Sequence, residues 1–258
     1  MNKFDIELFR RIARKTRMSL GNAEKDYVLS VALSKIAETK LAEKLVFKGG
    51  TCIKKSYFPK FRFSSDLDFS LVTESEYDQE IKKAFENKVI DGVFFVKVNR
   101  LERTTENIAL KLQYTSQISE YPQIDSINLE IACKNQVLRP PVSRLVQNPN
   151  EYALPKTQLP CMQLEEIFAE KIHAIYNRPK PRDLYDANFL LEQMVVPNKK
   201  LIEEKLALIP AELTATSFEK RMAILEPRWK RDLEKVMIEL PEFEGIARKV
   251  TARLPFNK

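Results

Sequence analysis

Two aspartates separated by one residue, Asp66 and Asp68, carry the clearest chemistry in this 258-residue chain. Leu67, Phe69 and Leu71 alternate with Asp66, Asp68 and Ser70, and on a strand that alternation sends the polar three to one face and the apolar three to a core. Carboxylates two positions apart on a strand lie about 7 Å from each other and repel unless a cation stands between them. Mg²⁺ suits that place, because it takes a few carboxylates together with phosphate oxygens. Just upstream, the apolar run from Val46 stops at Gly49-Gly50-Thr51. Glycines allow a backbone to approach a ligand closely, and the N–H groups opening a helix expected over residues 51–56 form an anion site. Residues 46–71 therefore combine a phosphate cradle with a metal clamp.

The elements that must position these groups follow from periodicity. An amphipathic helix is expected over residues 3–18, with Phe4, Leu8 and Ile12 on its apolar stripe. A second, capped by Asn22, is expected over 23–41 with Tyr27, Val28, Val31, Ala32, Ile36 and Leu41 at helical spacing. A short strand over 45–48 leads into the glycines. After the Asp66 strand come a polar helix over 75–88 and three strands over 92–98, 108–114 and 126–133, joined by short polar turns as antiparallel hairpins. In Ile127-Asn-Leu-Glu-Ile-Ala132 the apolar residues share one face, leaving Asn128 and Glu130 on the other. Beside the aspartate strand, Glu130 could complete a carboxylate triad.

The prolines from Pro140 to Pro160 mark the exit from this first domain, so the division is placed at 1–145 and 146–258. Beyond it the pattern is helical: 164–177, with Leu164, Ile167, Phe168, Ile172 and Ile175 as its stripe, then a helix from Leu184 to Met194, then two or three more over 199–251.

Bulk composition narrows the classes. A hydrophobic content of 44% supports a proper core. The chain shows no long apolar run and its N-terminus mixes charge with apolar residues, so a membrane span or signal peptide is not expected, and the cytoplasm is the default location. Three scattered cysteines imply neither a disulfide framework nor a zinc site. The single histidine, His173, excludes chemistry that needs two imidazoles. The net charge of +7 is uneven: residues 1–62 hold 15 Lys/Arg against 6 Asp/Glu, a balance of +9, so the remainder sums to −2. A positive field beside the cradle favours a polyanionic partner.

Taken together, Phe47-Lys-Gly-Gly-Thr51 and Arg62-Phe-Ser-Ser-Asp-Leu-Asp68 resemble the signature of polymerase-beta-type nucleotidyltransferases, and in particular the AbiEii/AbiGii family of bacterial nucleotidyltransferase-like toxins. Three further blocks resemble that family in the same order: Glu24-Lys-Asp-Tyr27, Glu165-Glu-Ile-Phe-Ala-Glu-Lys171 and Arg182-Asp-Leu-Tyr-Asp186. Departures are small: Cys52-Ile53 follow the Gly-Gly-Thr where a small residue and Leu are more usual, and the third acidic position is Glu.

The resemblance implies an α+β fold, a polymerase-beta-type nucleotidyltransferase core with a mixed sheet flanked by helices, followed by a helical C-terminal domain contributing Lys171 and the Arg182–Asp186 block. It implies a two-metal mechanism with Mg²⁺ or Mn²⁺ held by Asp66, Asp68 and Glu130. Nucleotide contacts would come from Lys48, Gly49, Gly50, Thr51, Ser65, Lys171 and Arg182, with either Asp183 or Asp186 orienting Lys171 or the acceptor hydroxyl and the other stabilising the positive end of its helix. From the residues alone, Lys171 pairs as readily with Glu166 or Glu170. The implied function is a toxin of a toxin–antitoxin or phage-defence system, with a cognate antitoxin, transferring nucleotides from an NTP to an RNA such as the tRNA 3′ end. Two alternatives stay open: nucleotidylation of a protein or small molecule, and a catalytically silent module binding NTP or RNA.

Overall fold

The computed structural model describes residues 6–71, 77–104, 107–116, 123–133, 137–234, 236–237 and 239–256. Phe4, Ser75 and Glu76, assigned above to helices, lie outside them. The chain forms two compact units that divide between Met162 and Gln163.

The first unit is built on an eight-stranded mixed sheet. Its strands are β1 (Leu45–Lys48), β2 (Asp66–Leu71), β3 (Lys88–Ile90), β4 (Val93–Arg103), β5 (Asn107–Ser116), β6 (Gln123–Ala132), β7 (Val142–Leu145) and β8 (Gln158–Cys161), in the spatial order β3-β4-β5-β6-β2-β1-β8-β7. The run β4–β5–β6 is the expected antiparallel meander, whereas β2 lies parallel to β6 and antiparallel to β1. β7 and β8 run through the proline-rich segment read above as an exit. Pro160 lacks an N–H, yet β8 still pairs with β1 through Met162 N–H to Phe47 O (2.9 Å), and Leu159 and Cys161 are buried. The sheet therefore extends to residue 161, past the boundary that the prolines suggested.

The α-helices among the unit's described residues are α1 (Ile6–Thr16), α2 (Leu20–Ala37), α3 (Gly49–Cys52) and α4 (Tyr77–Phe85). Ser19, not Asn22, caps α2, its side chain accepting from the Asn22 N–H. α2 is buried on nearly every side, which is why its pattern shows little amphipathicity. α3 continues into a π-type turn, Ile53–Tyr57, closed by Phe58 N–H to Ile53 O at 2.7 Å; it starts at Gly49, two residues before the expected Thr51.

The Glu24–Tyr27 block ties α2 to five other places. Ser116 on β5 donates to Glu24 (2.8 Å), Lys25 pairs with Asp125 on β6 (3.1 Å), Asp26 accepts from Lys55 (2.7 Å) and from the Tyr152 hydroxyl (2.9 Å), and the Tyr27 hydroxyl donates to Asp91 O (2.9 Å). Burial pushes the Tyr27 phenol up to about 12, with the Asp91 charge adding to the effect. Burial alone would raise Asp125, but the Ser126 N–H, Lys25 and the Tyr114 hydroxyl outweigh it and hold that carboxyl below its ordinary value. The Lys25 side chain thus serves the helix–sheet junction.

The second unit packs α5 (Leu164–Asn177) against α6 (Pro181–Glu192) and α7 (Lys199–Leu206), followed by α8 (Ala215–Leu225), α9 (Trp229–Leu233) and α10 (Phe243–Arg253). Trp229 meets Phe243 edge-on at 5.3 Å. Among the described residues no helix is long and apolar enough to cross a membrane.

Lys55 and Asp26 are only 2% and 3% exposed, so removing one partner strands a buried charge, at a cost of about 3–5 kcal/mol. Asp26→Ala is expected to lower the urea midpoint accordingly, and Asp26→Ala/Lys55→Met to recover a large part of the loss. A double variant no more stable than Asp26→Ala would show that the pair is not the cause.

Candidate active site

The chain turns from β1 into α3 at Gly49, whose φ of +75° is the left-handed region that glycine tolerates. The reason lies across the strand pair. Lys48 is opposite Asp68 in the β1–β2 register, and the Asp68 side chain lies over Gly49 so closely that a Cβ there would stand 2.8 Å from its carboxyl carbon. Gly50 is confined as well: a Cβ would come within 2.9 Å of Ser64 Oγ and 3.3 Å of Arg62 Nη2. Arg62 is buried, donates to Phe63 O (2.9 Å) and lies over the Phe61 ring. Cradle and carboxylate strand are therefore one construction in the first unit.

On β2, Leu67 and Phe69 are buried and Asp66 and Asp68 partly exposed, as the alternation requires. Ser70 departs from it. Expected on the polar face, it is fully buried, and Leu71 is partly exposed. Asp68 is in register with Glu130 on the parallel β6, and Asp66 with Asn128; Glu130 is exposed. Residues in register on neighbouring strands share a face, so three carboxylates and an amide occupy one side of two adjacent strands. Oxygen donors of this kind suit a hard divalent cation such as Mg²⁺ or Mn²⁺. Among the described residues no three His, Cys, Asp or Glu side chains converge as a ready ligand cluster; the fit is one of donor type and strand face.

Two features were not visible in the residue pattern. Asn128 Nδ2 donates to Asp66 Oδ1 at 3.1 Å, holding one rotamer of that carboxylate; the equal parity of Asn128 and Glu130 was the available signal. The Thr51 hydroxyl, expected to grip a phosphate, donates instead to the backbone carbonyl of Asp66 (2.5 Å) and is fully buried. Its contribution is to pin the start of β2 to α3. Lys48 is buried at the end of β1, and Ser65 is partly exposed just before Asp66.

The second unit holds a separate charged cluster. Lys171 on α5 lies 2.9 Å from Asp183 Oδ1 and 2.7 Å from Asp186 Oδ2 on α6. Both aspartates are essentially inaccessible, and Lys171 is 11% exposed. The spacing of three between Asp183 and Asp186 puts both on one helix face. Glu166 and Glu170, the neighbours that might have taken Lys171, bind Lys205 of α7 instead (2.8 and 3.2 Å). The Lys171 ammonium is thus fixed between two buried carboxylates. Arg182, beside them, is partly exposed.

A sheet strand bearing paired aspartates, joined to a glycine cradle and followed by a helical unit, defines the nucleotidyltransferase class. Over residues 31–250 the sequence matches the family model described as "Nucleotidyl transferase AbiEii toxin, Type IV TA system". The chain belongs to this family of nucleotidyltransferase toxins. The fold is similar to that of MenT4, a nucleotidyltransferase toxin from Mycobacterium tuberculosis H37Rv (TM-score 0.73, 19% identity, 98% of this chain and 89% of that one). It is also similar to JHP933 from Helicobacter pylori (TM-score 0.55, 18% identity, 91% and 90%). No individually curated protein matches the chain in sequence.

Gly49→Ala would meet both a disfavoured φ and the Asp68 carboxylate, and is expected to cost about 1–3 kcal/mol along with most activity. Retention of wild-type stability in urea unfolding would refute the close approach. Asn128→Ala is expected to weaken Mn²⁺ binding about tenfold or more, since removal of groups that hold metal-binding carboxylates typically does so. Electron paramagnetic resonance titration of Mn²⁺ reads this directly, and an unchanged affinity would remove Asn128 from that role.

Proposed function

We propose that the protein transfers a nucleotide from an NTP to the 3′ hydroxyl of an RNA of the tRNA class, as the toxin of a cytoplasmic toxin–antitoxin or phage-defence pair. The observation that carries this reading is the packing of Asp68 onto Gly49, which makes the phosphate cradle and the carboxylate strand a single site. The +9 balance of residues 1–62 supports a polyanionic acceptor over a small molecule.

In this reading the backbone of Gly49, Gly50 and Thr51 receives the phosphates, with Lys48 and Ser65 as further nucleotide contacts. Asp66 and Asp68, with Glu130 beside Asp68, would hold Mg²⁺ or Mn²⁺, which would supply neutralisation of phosphate charge and acidification of the attacking hydroxyl. Asn128 and the Thr51 hydroxyl keep Asp66 in place. The 3′ oxygen bonds to the α-phosphorus, the bond from that phosphorus to the bridging oxygen breaks, and pyrophosphate leaves with the electron pair. The hydroxyl proton passes to solvent. Within the second unit, Lys171 is held by Asp183 and Asp186.

Purified protein incubated with Mg²⁺, each labelled NTP in turn and total bacterial RNA is expected to label tRNA-sized RNA. Asp66→Ala and Asp68→Ala should lower transfer by at least a hundredfold while the thermal midpoint stays close to wild type, whereas Lys171→Ala, which removes the charge between the buried Asp183 and Asp186, should lower the thermal midpoint together with NTP use. Label entering protein would keep the chemistry and replace the acceptor. No transfer with any NTP would favour a silent binding module.

A further inference from the structure

The sheet site and the Lys171 cluster leave unexplained much of the basic charge on the first helix. α1 turns Phe9, Ile12 and Ala13 inward, Phe9 meeting Tyr27 edge-on at 5.8 Å, and its outer surface carries Arg10, Arg11, Arg14 and Lys15 against a single acid, Glu7. Glu7 is bound by Arg10 at 2.5 Å, and Lys15 pairs with Glu151 at 2.7 Å. Among the described residues no ion pair involves Arg11 or Arg14, although both are exposed. Positions 11, 14 and 15 are neighbours on one helix face. They border an open trough of about 580 Å³.

Lys15 also borders a deeper cavity of about 240 Å³, whose walls include Thr16, Lys54, Lys55, Gln147 and Asn148. Lys15 lines both, and Lys54, which donates to Pro59 O (3.2 Å) and Phe61 O (3.1 Å), lines the cavity together with the paired Asp26 and Lys55. Lys54 belongs to the same helical segment as the cradle. It lies five positions after Gly49, about 8 Å along the axis at helical rise. A strand of phosphates lying on α1 therefore ends one short helical segment away from the place where the NTP phosphates would sit.

We infer that the Arg11–Arg14–Lys15 face of α1, continued by Lys54, is the docking surface for the phosphodiester backbone of the RNA acceptor. This inference rests on the RNA-acceptor reading above and adds where the body of that acceptor is held. Charge selects the partner: exposed guanidinium groups outside ion pairs bind phosphates regardless of base sequence, releasing counterions. The surface acts on the part of the RNA away from its reacting end, so its effect depends on acceptor length.

The test compares wild type with Arg11→Gln/Arg14→Gln, whose side chains make no ion pair that the fold requires. Filter binding of labelled total tRNA is measured across a NaCl series, and transfer is measured on tRNA and on a trinucleotide RNA. The expected result is tRNA binding weakened about tenfold at low salt, with the slope of log K against log salt smaller by about two, one per lost phosphate contact. The accompanying loss in kcat/KM should be larger for tRNA than for the trinucleotide. Unchanged affinity and slope, or an equal loss on both acceptors, would overturn the docking surface while leaving the RNA-acceptor reading in place. Wild-type protein that neither binds nor labels RNA would overturn both.

Discussion

The contact on which the site depends is the Asp68 carboxylate lying over the α-carbon of Gly49. It requires the tight antiparallel pairing of β1 with β2, which sets Lys48 opposite Asp68, and it requires a residue without a side chain where the chain leaves β1 at positive φ. Once β2 is held there, its parallel register with β6 decides which residues stand beside the aspartates: Asn128 next to Asp66, Glu130 next to Asp68. The Thr51 hydroxyl closes the arrangement from the helix side by binding the Asp66 carbonyl. A displacement of β2 by one residue would reverse its faces and send both carboxylates into the core.

Buried lysines organise much of the rest. Lys55 is held by Asp26, Ser30 and Asn148 and links the segment after the cradle to α2. Lys205 joins α7 to α5 through Glu166 and Glu170, and Lys171 joins α5 to α6 through Asp183 and Asp186. An ammonium removed from water demands a specific acceptor set, so each of these pairs fixes which helix faces meet. In the second unit the two α5 sites divide the available acids between them, leaving Lys171 with the partners contributed by α6. The Glu24–Tyr27 block works similarly with a mixed set of polar groups, spreading four neighbouring side chains over β5, β6, the turn after α3 and the β3–β4 connection.

The sequence by itself determined the elements whose periodicity is unbroken. α5 lies where its apolar stripe puts it, the meander of β4, β5 and β6 follows from three alternating runs, and Leu67 and Phe69 face the core as alternation demands. The linked blocks from Glu24 to Asp186 were likewise legible, because short motifs keep their spacing whatever surrounds them. Tertiary structure decided the rest. β8 forms despite Pro160 because pairing with β1 and burial of Leu159 and Cys161 outweigh a missing donor, and no local pattern records a strand partner more than a hundred residues away. Ser70 is buried against the alternation, Thr51 spends its hydroxyl on Asp66, and Lys171 takes Asp183 and Asp186 over the nearer glutamates. Each of these outcomes depends on distances between segments remote in sequence. Residue type and spacing name the groups able to do the chemistry; the register of β1, β2 and β6, and the packing of α5 on α6, determine which of those groups meet.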